Sequence, residues 1–266
     1  MLDQLLQTLL LGLIQGISEW LPISSTAHLK LTGYFFGLTI TPLFNIILHL
    51  GTLIVLVFFF RKDVKDILIA LARRDFKSES GMLIPRIVVA TIPTAVISLV
   101  YITFLQDIAG TIPIIAVTFL IGATFVYSTK FAKEDDGTLS YRTALLMGAA
   151  QGFAIFPGLS RSGITISTAL LLGQKREKAF KFSFLLSIPA ILGDFVVEAY
   201  REREVFLTAR LDGFNIIAGV IAAMIVGYIS LIVVSKLVRG RKFHYFAFYT
   251  CALGIALLIL TFGFNL

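Results

Sequence analysis

Six long apolar segments constrain the fold of this chain more than any other feature of its sequence. They occupy residues 44–60, 87–105, 112–129, 182–200, 214–235 and 245–264. Each approaches or reaches the ~20 residues that an α-helix needs to cross the hydrocarbon core of a bilayer. Only 15% of the residues are charged, well below the share in soluble globular domains. The sequence therefore predicts an all-α integral membrane protein with six full spans, located in the cell membrane.

The basic residues lie almost entirely in short segments between the apolar ones. Segment 61–86 contains seven lysines and arginines, segment 130–142 three, and segments 175–181 and 236–242 four each. Cytoplasmic loops of membrane proteins carry an excess of these residues. We therefore expect the four segments to face the cytoplasm, where they contact anionic lipids, and both chain termini to face outward. The net charge of +7 then requires no nucleic-acid partner.

Two stretches of the chain resemble each other and indicate an internal duplication. "LGLIQGISEWLPISSTAH" (11–28) and "MGAAQGFAIFPGLSRSGI" (147–164) share a glycine, a Gln-Gly pair and a serine in register, with the proline displaced by one position. In both copies a proline interrupts the apolar segment, and three full spans follow. The sequence predicts two repeats, residues 1–137 and 138–266, within one membrane domain.

The loop charges decide how the two repeats lie in the membrane. Segments 130–142 and 175–181 are both basic, so the chain between them returns to the side from which it entered. We expect a re-entrant hairpin of two half-helices over 143–173, and by the repeat a second one over 3–36. Three full spans per repeat is an odd number, so the second repeat is inverted relative to the first. Such inverted repeats place discontinuous helices at a polar site near the midplane, a plan known from transporters.

The first break carries polar groups that are expensive inside a membrane. Gln15 and Glu19 are one helical turn apart, and an intramembrane carboxylate is by default a functional-site hypothesis. Their hard oxygens predict a site for a divalent cation, Mg²⁺ or Ca²⁺. Ser25 and His28 have the i, i+3 spacing of a nucleophile and its base, and we expect the imidazole to lie beside the hydroxyl. His49, in the middle of a span, is interpreted as an ordinary core residue.

The second break supplies a positively charged side chain. "PGLSRSG" (157–163) places Arg161 between serines and glycines, and arginine is a planar multidentate donor suited to phosphate oxygens. Two half-helix N-termini pointing at one place add aligned N–H groups to such an anion site. We therefore predict phosphoryl transfer, with catalytic residues Glu19, Ser25, His28 and Arg161 and cation ligands Glu19 and Gln15. The predicted substrate-binding residues are Ser24, Thr26, Ser160, Ser162, Gly163 and Thr165.

"QGISEWLPISSTAH" (15–28) and "PGLSRSG" (157–163) together resemble the two signature motifs of the undecaprenyl-pyrophosphate phosphatase family, the bacitracin-resistance type, and the pattern of spans fits along nearly the whole chain. The resemblance implies an enzyme that removes the terminal phosphate from a C55 polyprenyl pyrophosphate at the outer face. It also implies a divalent-metal requirement and an inverted-repeat fold with re-entrant loops. By this resemblance the family's three motifs map onto Gln15 and Glu19, onto Ser24, Ser25, Thr26 and His28, and onto Ser160, Arg161, Ser162 and Thr165. The chain departs from the family in having Gln15 where many members have glutamate, and Ala27 where glycine often precedes the histidine.

Several alternatives stay open at the level of sequence. Either Ser25 or a water molecule could attack the phosphorus. A lipid flippase or transporter with a midplane phosphate site is the rival function, although recognition alone needs no nucleophile and base. Asp194 and Glu198, one turn apart in a span, are interpreted as packing or outer-rim residues. The sequence is compatible with a homodimer and does not decide the oligomeric state.

Overall fold

The computed structural model describes residues 4–135, 139–201, 203 and 213–264. Its helices are α1 (Gln4–Trp20), α2 (Ser25–Phe36), α3 (Pro42–Phe59), α4 (Arg61–Ala72), α5 (Leu83–Phe104), α6 (Gln106–Ala109), α7 (Ile112–Ser128), α8 (Tyr141–Phe153), α9 (Arg161–Leu171), α10 (Arg176–Arg201), α11 (Gly213–Arg239) and α12 (Phe246–Phe264). The predicted repeat boundary at 137–138 and both chain termini lie outside the described residues.

Six helical segments are long and apolar enough to cross a membrane. They are Pro42–Phe59, Leu83–Phe104, Ile112–Phe131, Arg176–Arg201, Gly213–Arg239 and Phe243–Gly263. The described residues contain no strand. The prediction of an all-helical membrane protein with six spans is therefore confirmed.

The four remaining larger helices of the membrane region are shorter, and prolines and serines set their ends. α1, α2, α8 and α9 have 17, 12, 13 and 11 residues. At 1.5 Å per residue they extend about 26, 18, 20 and 17 Å, less than the ~30 Å of a hydrocarbon core. α1 ends at Trp20, two residues before Pro22, and α2 begins at Ser25. Ser140 and Ser160 cap α8 and α9 by accepting hydrogen bonds from main-chain N–H groups three residues further on.

Glycines allow α1 and α8 to pack closely against full spans. A Cβ added to Gly12 would overlap the main chain of Gly219 on α11, and one added to Gly148 would overlap Ala90 on α5. Small residues at such crossings let helix backbones approach within a membrane, where packing rather than the hydrophobic effect drives association. α1 thus lies along α11, and α8 along α5. These contacts hold each broken segment against a span of the other half of the chain.

Segment 61–86, expected as a loop, contains the additional helix α4. Its charged side chains lie at the solvent side, while Val64 and Ile67 pack against the main hydrophobic cluster of the protein. That cluster includes Trp20 and Phe184, whose ring centroids are 5.6 Å apart. The apolar spacing of Val64, Ile67 and Leu71 is typical of an amphipathic helix. The basic segment is therefore partly helical rather than only a connection.

Candidate active site

The turns that interrupt the two short helix pairs lie against each other. The Gly158 N–H donates a hydrogen bond to Ser24 Oγ at 3.0 Å, and Ser160 Oγ donates to the Leu21 carbonyl at 3.4 Å. Ser24 has a φ of 71°, a left-handed conformation that is uncommon for residues other than glycine. Because 134 residues separate Ser24 from Gly158 along the chain, these bonds join the two breaks into one site.

A buried hydroxyl and a buried carboxylate form the centre of this site. Ser25 Oγ donates a hydrogen bond of 2.6 Å to Glu19 Oε2, and the two residues are 9% and 7% exposed. Gln15 Nε2 donates to the same oxygen at 3.1 Å. Ser25 is the first residue of α2, where main-chain N–H groups lack helical partners. The carboxylate is thus placed to take the Ser25 proton beside a helix N-terminus.

His49 belongs to the same cluster, contrary to its interpretation as an ordinary core residue. Its Nδ1 lies 3.3 Å from Glu19 Oε2 and 3.0 Å from Gln15 Nε2. α3 brings it there from a position 30 residues beyond Glu19. The available signal was its ionisable side chain in the middle of a span, which by itself marks a functional-site hypothesis.

Arg161 lies between two carboxylates and keeps a donor free. Its Nη1 is 3.8 Å from Glu19 Oε1 and its Nη2 is 3.6 Å from Asp194 Oδ2. Buried Nη1 has no hydrogen-bond partner in the described part of the chain. An orphaned buried donor on a cation demands an explanation, and a phosphate oxygen would satisfy it. Asp194, interpreted from sequence as a packing or rim residue, is thereby a direct neighbour of Arg161.

Among the described residues His28 makes no hydrogen bond to the Ser25 hydroxyl, so the expected contact between nucleophile and base is not formed in this structure. Its Nδ1 is 2.7 Å from the Ser24 carbonyl oxygen, and its Nε2 is 2.7 Å from Tyr249 Oη. Since a carbonyl only accepts, Nδ1 donates and Nε2 accepts from the phenol. Both ring nitrogens are therefore occupied, and the ring stacks on Tyr249 at 5.8 Å between centroids. Glu19, rather than His28, contacts the hydroxyl.

Four of the predicted substrate-binding hydroxyls have partners within the protein, and one of them, Ser162 Oγ, lies 3.1 Å from Ser160 Oγ. Ser24 accepts from the Gly158 N–H, and Ser160 caps α9. Thr165 Oγ1 donates to the Arg161 carbonyl at 2.7 Å and contacts Ser183 Oγ. These side chains brace the turns and the start of α9.

Ser162, Gly163 and Thr26, which were also predicted to bind substrate, differ in their surroundings. Ser162 lines a narrow cleft together with Glu19 and Arg161. At Gly163 a Cβ would lie 3.0 to 3.3 Å from atoms of Ser160, Pro22 and Val126, so glycine permits close packing of the breaks there. Thr26 is exposed and lines a separate chamber of about 550 Å³.

The oxygens at the first break fit a hard divalent cation only in part. Gln15 Oε1 is buried and has no hydrogen-bond partner among the residues that the structure describes, and the Glu19 carboxylate is one turn away. Within the described residues no group of three or more His, Cys, Asp or Glu side chains could hold a metal ion. Mg²⁺ is commonly bound by one or two protein oxygens together with substrate phosphates. A cation here would therefore need oxygens from the substrate.

The chain is similar to known proteins along nearly its whole length. Residues 8–256 match the family described as bacitracin resistance protein BacA. A relative from Treponema denticola named undecaprenyl-diphosphatase is 41% identical over 97% of this chain and 98% of its own length. Relatives of the same name from Carboxydothermus hydrogenoformans and Korarchaeum cryptofilum are 38% and 37% identical, again over at least 96% of both chains.

Proposed function

The chain belongs to the bacitracin resistance protein BacA family, and from that premise we propose that its broken-helix site hydrolyses undecaprenyl diphosphate. The enzyme is a membrane hydrolase that removes the terminal phosphate and regenerates the monophosphate lipid carrier for cell-wall polymer synthesis. This activity confers bacitracin resistance. One observation carries the assignment to this site: the Ser25 hydroxyl donates to a buried carboxylate and stands near an arginine with an unused donor.

The proposed membrane arrangement is a pair of inverted repeats, each with a re-entrant hairpin and three spans. The short lengths of α1, α2, α8 and α9 support it, as does the packing of α1 along α11 and α8 along α5, since those pairs correspond under the repeat. In this proposed arrangement the basic segments face the cytoplasm, and the termini and the opening of the site face outward. Anionic lipids contact the basic cytoplasmic segments, and a homodimer remains compatible with this arrangement.

In the proposed mechanism Ser25 Oγ attacks the terminal phosphorus while Glu19 accepts its proton across the 2.6 Å hydrogen bond. The Oγ–P bond forms and the bond from phosphorus to the bridging oxygen breaks. The lipid monophosphate leaves with that electron pair and receives the proton from Glu19. Water then attacks the phosphoserine and gives a proton to Glu19, which returns it to Ser25 Oγ as inorganic phosphate departs.

Fixed positive charge stabilises the phosphoryl group during both steps. Arg161 Nη1 is buried and makes no hydrogen bond to any described residue, so binding a phosphate oxygen breaks no hydrogen bond seen there. The N-terminus of α2 adds main-chain N–H groups next to Ser25, and the N-terminus of α9 begins at Arg161 itself. Asp194 pairs with the other terminal nitrogen of the guanidinium, Nη2.

A divalent cation, Mg²⁺ or Ca²⁺, is part of the proposal. Glu19 and Gln15 Oε1 would hold it together with oxygens of the diphosphate, and it would supply positive charge to the leaving lipid phosphate. The structure supports this through the orphaned Gln15 oxygen beside a carboxylate. The Ser25 hydroxyl and the Gln15 amide both donate to Glu19 Oε2.

Phosphate release tests the function directly. Purified full-length protein in detergent with undecaprenyl diphosphate and Mg²⁺ or Ca²⁺ is expected to release inorganic phosphate. A chelator is expected to suppress the release, because it removes the divalent cation that would neutralise the diphosphate. The measurement is colorimetric phosphate together with chromatography of the lipid product. Binding of the lipid without any phosphate release would contradict a hydrolase and favour a carrier for the lipid.

His49 is expected to position the carboxylate that activates Ser25. Replacing His49 by alanine should lower kcat by about tenfold to a hundredfold, because small displacements of a catalytic group cost that much. The KM should change little, since His49 touches Glu19 and Gln15 rather than the expected place of the substrate. His49→Gln, which keeps a polar side chain, should recover part of the loss. His244→Ala serves as the matched control, because the ring contacts of His244 in the described part of the chain are with Tyr127 and Tyr245, neither of which belongs to the proposed site. An unchanged kcat in His49→Ala would show that the contact with Glu19 has no catalytic consequence.

A further inference from the structure

A second cavity, lined in part by Thr26, is not used by the mechanism above. It is a chamber of about 550 Å³, bounded mainly by α2, α3 and the α6–α7 turn, and we call it the α2–α3 chamber. Its walls are mostly apolar, and its polar lining residues include Thr26, Lys30, Asn45 and Glu198. The volume falls in the range of small-molecule sites, ~300–1,000 Å³.

Two residues that line the chamber are close in the chain to groups of the active site. Thr26 follows Ser25 in α2, and Glu198 lies one helical turn beyond Asp194 in α10. Lys30 follows Ser25 by five positions in α2, which corresponds to about 7.5 Å along the helix axis. Lys30 therefore lies further along α2 than the attacking hydroxyl, at a position that lines the chamber.

Lys30 is the cation of this chamber and is not neutralised by a close partner. It is exposed, and within the described part of the chain it makes no ion pair within 4.0 Å and no hydrogen bond. Its Nζ lies against the α6–α7 turn, where a Cβ added to Gly110 would be 3.0 Å away. Apolar walls of low polarisability strengthen the field of such a charge inside a cleft, and a lysine ammonium is a common point-charge partner of phosphate.

We propose that the α2–α3 chamber is a phosphate-anion site in which Lys30 binds phosphate groups on their way to or from Ser25. This inference rests on the proposed function for its biological meaning. Two anions share the required chemistry: the diphosphate headgroup that arrives and the inorganic phosphate that leaves. Glu198 opposes either anion and keeps its residence short, since a like charge in the same chamber weakens binding.

Chemical protection of Lys30 tests the site without any turnover. Full-length protein in detergent is pulsed with an amine-acetylating reagent, and acetylation of each lysine is quantified by mass spectrometry. The samples contain sodium phosphate, methylenediphosphonate or sodium chloride at equal ionic strength. At an anion concentration ten times its dissociation constant, acetylation of Lys30 should slow about tenfold, because about a tenth of the sites remain free. Lys62, an exposed lysine at the start of α4, is the internal control and should react equally in all three.

Comparing the two anions identifies the principal occupant of the chamber, and one variant tests the role of Glu198. Stronger protection by phosphate identifies the leaving product as the principal occupant, and stronger protection by methylenediphosphonate identifies the arriving headgroup. Glu198→Gln should increase protection at a given phosphate concentration, because it removes the opposing charge. Equal acetylation of Lys30 in phosphate and chloride overturns the proposal, as does protection of Lys30 and Lys62 to the same extent. A protein that protects Lys30 but releases no phosphate from lipid would refute the hydrolase and leave this site standing.

Discussion

Replacing Ser25 by alanine is expected to lower kcat by about 10⁴-fold or more, the scale seen when an enzyme loses its nucleophile. The hydroxyl donates to Glu19 at 2.6 Å and begins α2, so its loss removes the attacking atom while the carboxylate and Arg161 remain. Because alanine is compatible with a helix start and creates little space, the fold should persist. Initial rates of phosphate release from undecaprenyl diphosphate measure the effect.

Two further measurements test whether Ser25 is the nucleophile: trapping of a phosphoserine intermediate and a control variant of another serine. Acid quenching of wild-type enzyme during turnover should leave a phosphoserine on Ser25 that mass spectrometry of the peptide detects. Ser128→Ala is the control, because within the described residues the Ser128 hydroxyl makes a local hydrogen bond, donating to the Phe125 carbonyl at 2.6 Å at the end of α7. Ser25→Ala with near wild-type activity and no phosphoserine would assign the attack to water, the alternative that the sequence leaves open.

Arg161→Ala is expected to lower kcat/KM by about 10³-fold, as loss of a transition-state cation does in phosphoryl transfer. The variant removes the unpartnered Nη1 donor and leaves Glu19 and Asp194 without their shared cation. Two uncompensated carboxylates repel the diphosphate, so both KM and kcat should worsen. Steady-state kinetics with the lipid substrate separate the two effects.

Arg161→Lys distinguishes charge from geometry at this position. Lysine restores one positive charge but lacks the planar fork, so it should recover only part of kcat. Arg239→Ala is the control, because Arg239 pairs with Glu177 at 3.0 Å where both side chains are more than half exposed. Equal activity of Arg161→Ala and Arg239→Ala would contradict a role for Arg161 at the phosphoryl group.

The polar groups of the site were partly predictable, and the errors have a common physical origin. Glu19, Ser25 and Arg161 stand at proline-containing breaks, where a charged or hydroxyl group inside a membrane requires an explanation. His28 has the right i, i+3 spacing from Ser25, but spacing only limits how far apart two side chains lie. Tyr249, which is 221 residues away in the chain, supplies the Nε2 partner that holds the ring elsewhere.

His49 illustrates the opposite error. Nothing polar surrounds it in sequence, so a neutral core position was the natural interpretation. Its neighbours come from α1, where Gly16 packs so closely on α11 that a Cβ would be 2.7 Å from the Ala223 carbonyl oxygen. The positions of α1 and α3 against α11 bring Gln15 and Glu19 next to His49. No local sequence pattern indicates such packing between helices.

The sequence by itself determined the six spans, the two breaks and the types of polar group at them, because hydropathy, proline and helix capping act over one or two helical turns. Only the tertiary structure decided which of these groups meet. It paired Ser25 with Glu19, added His49 and Asp194 from two spans, and turned His28 towards Tyr249. These choices depend on helix packing between residues far apart in the chain, where small residues and shape set the relative rotation of the helices.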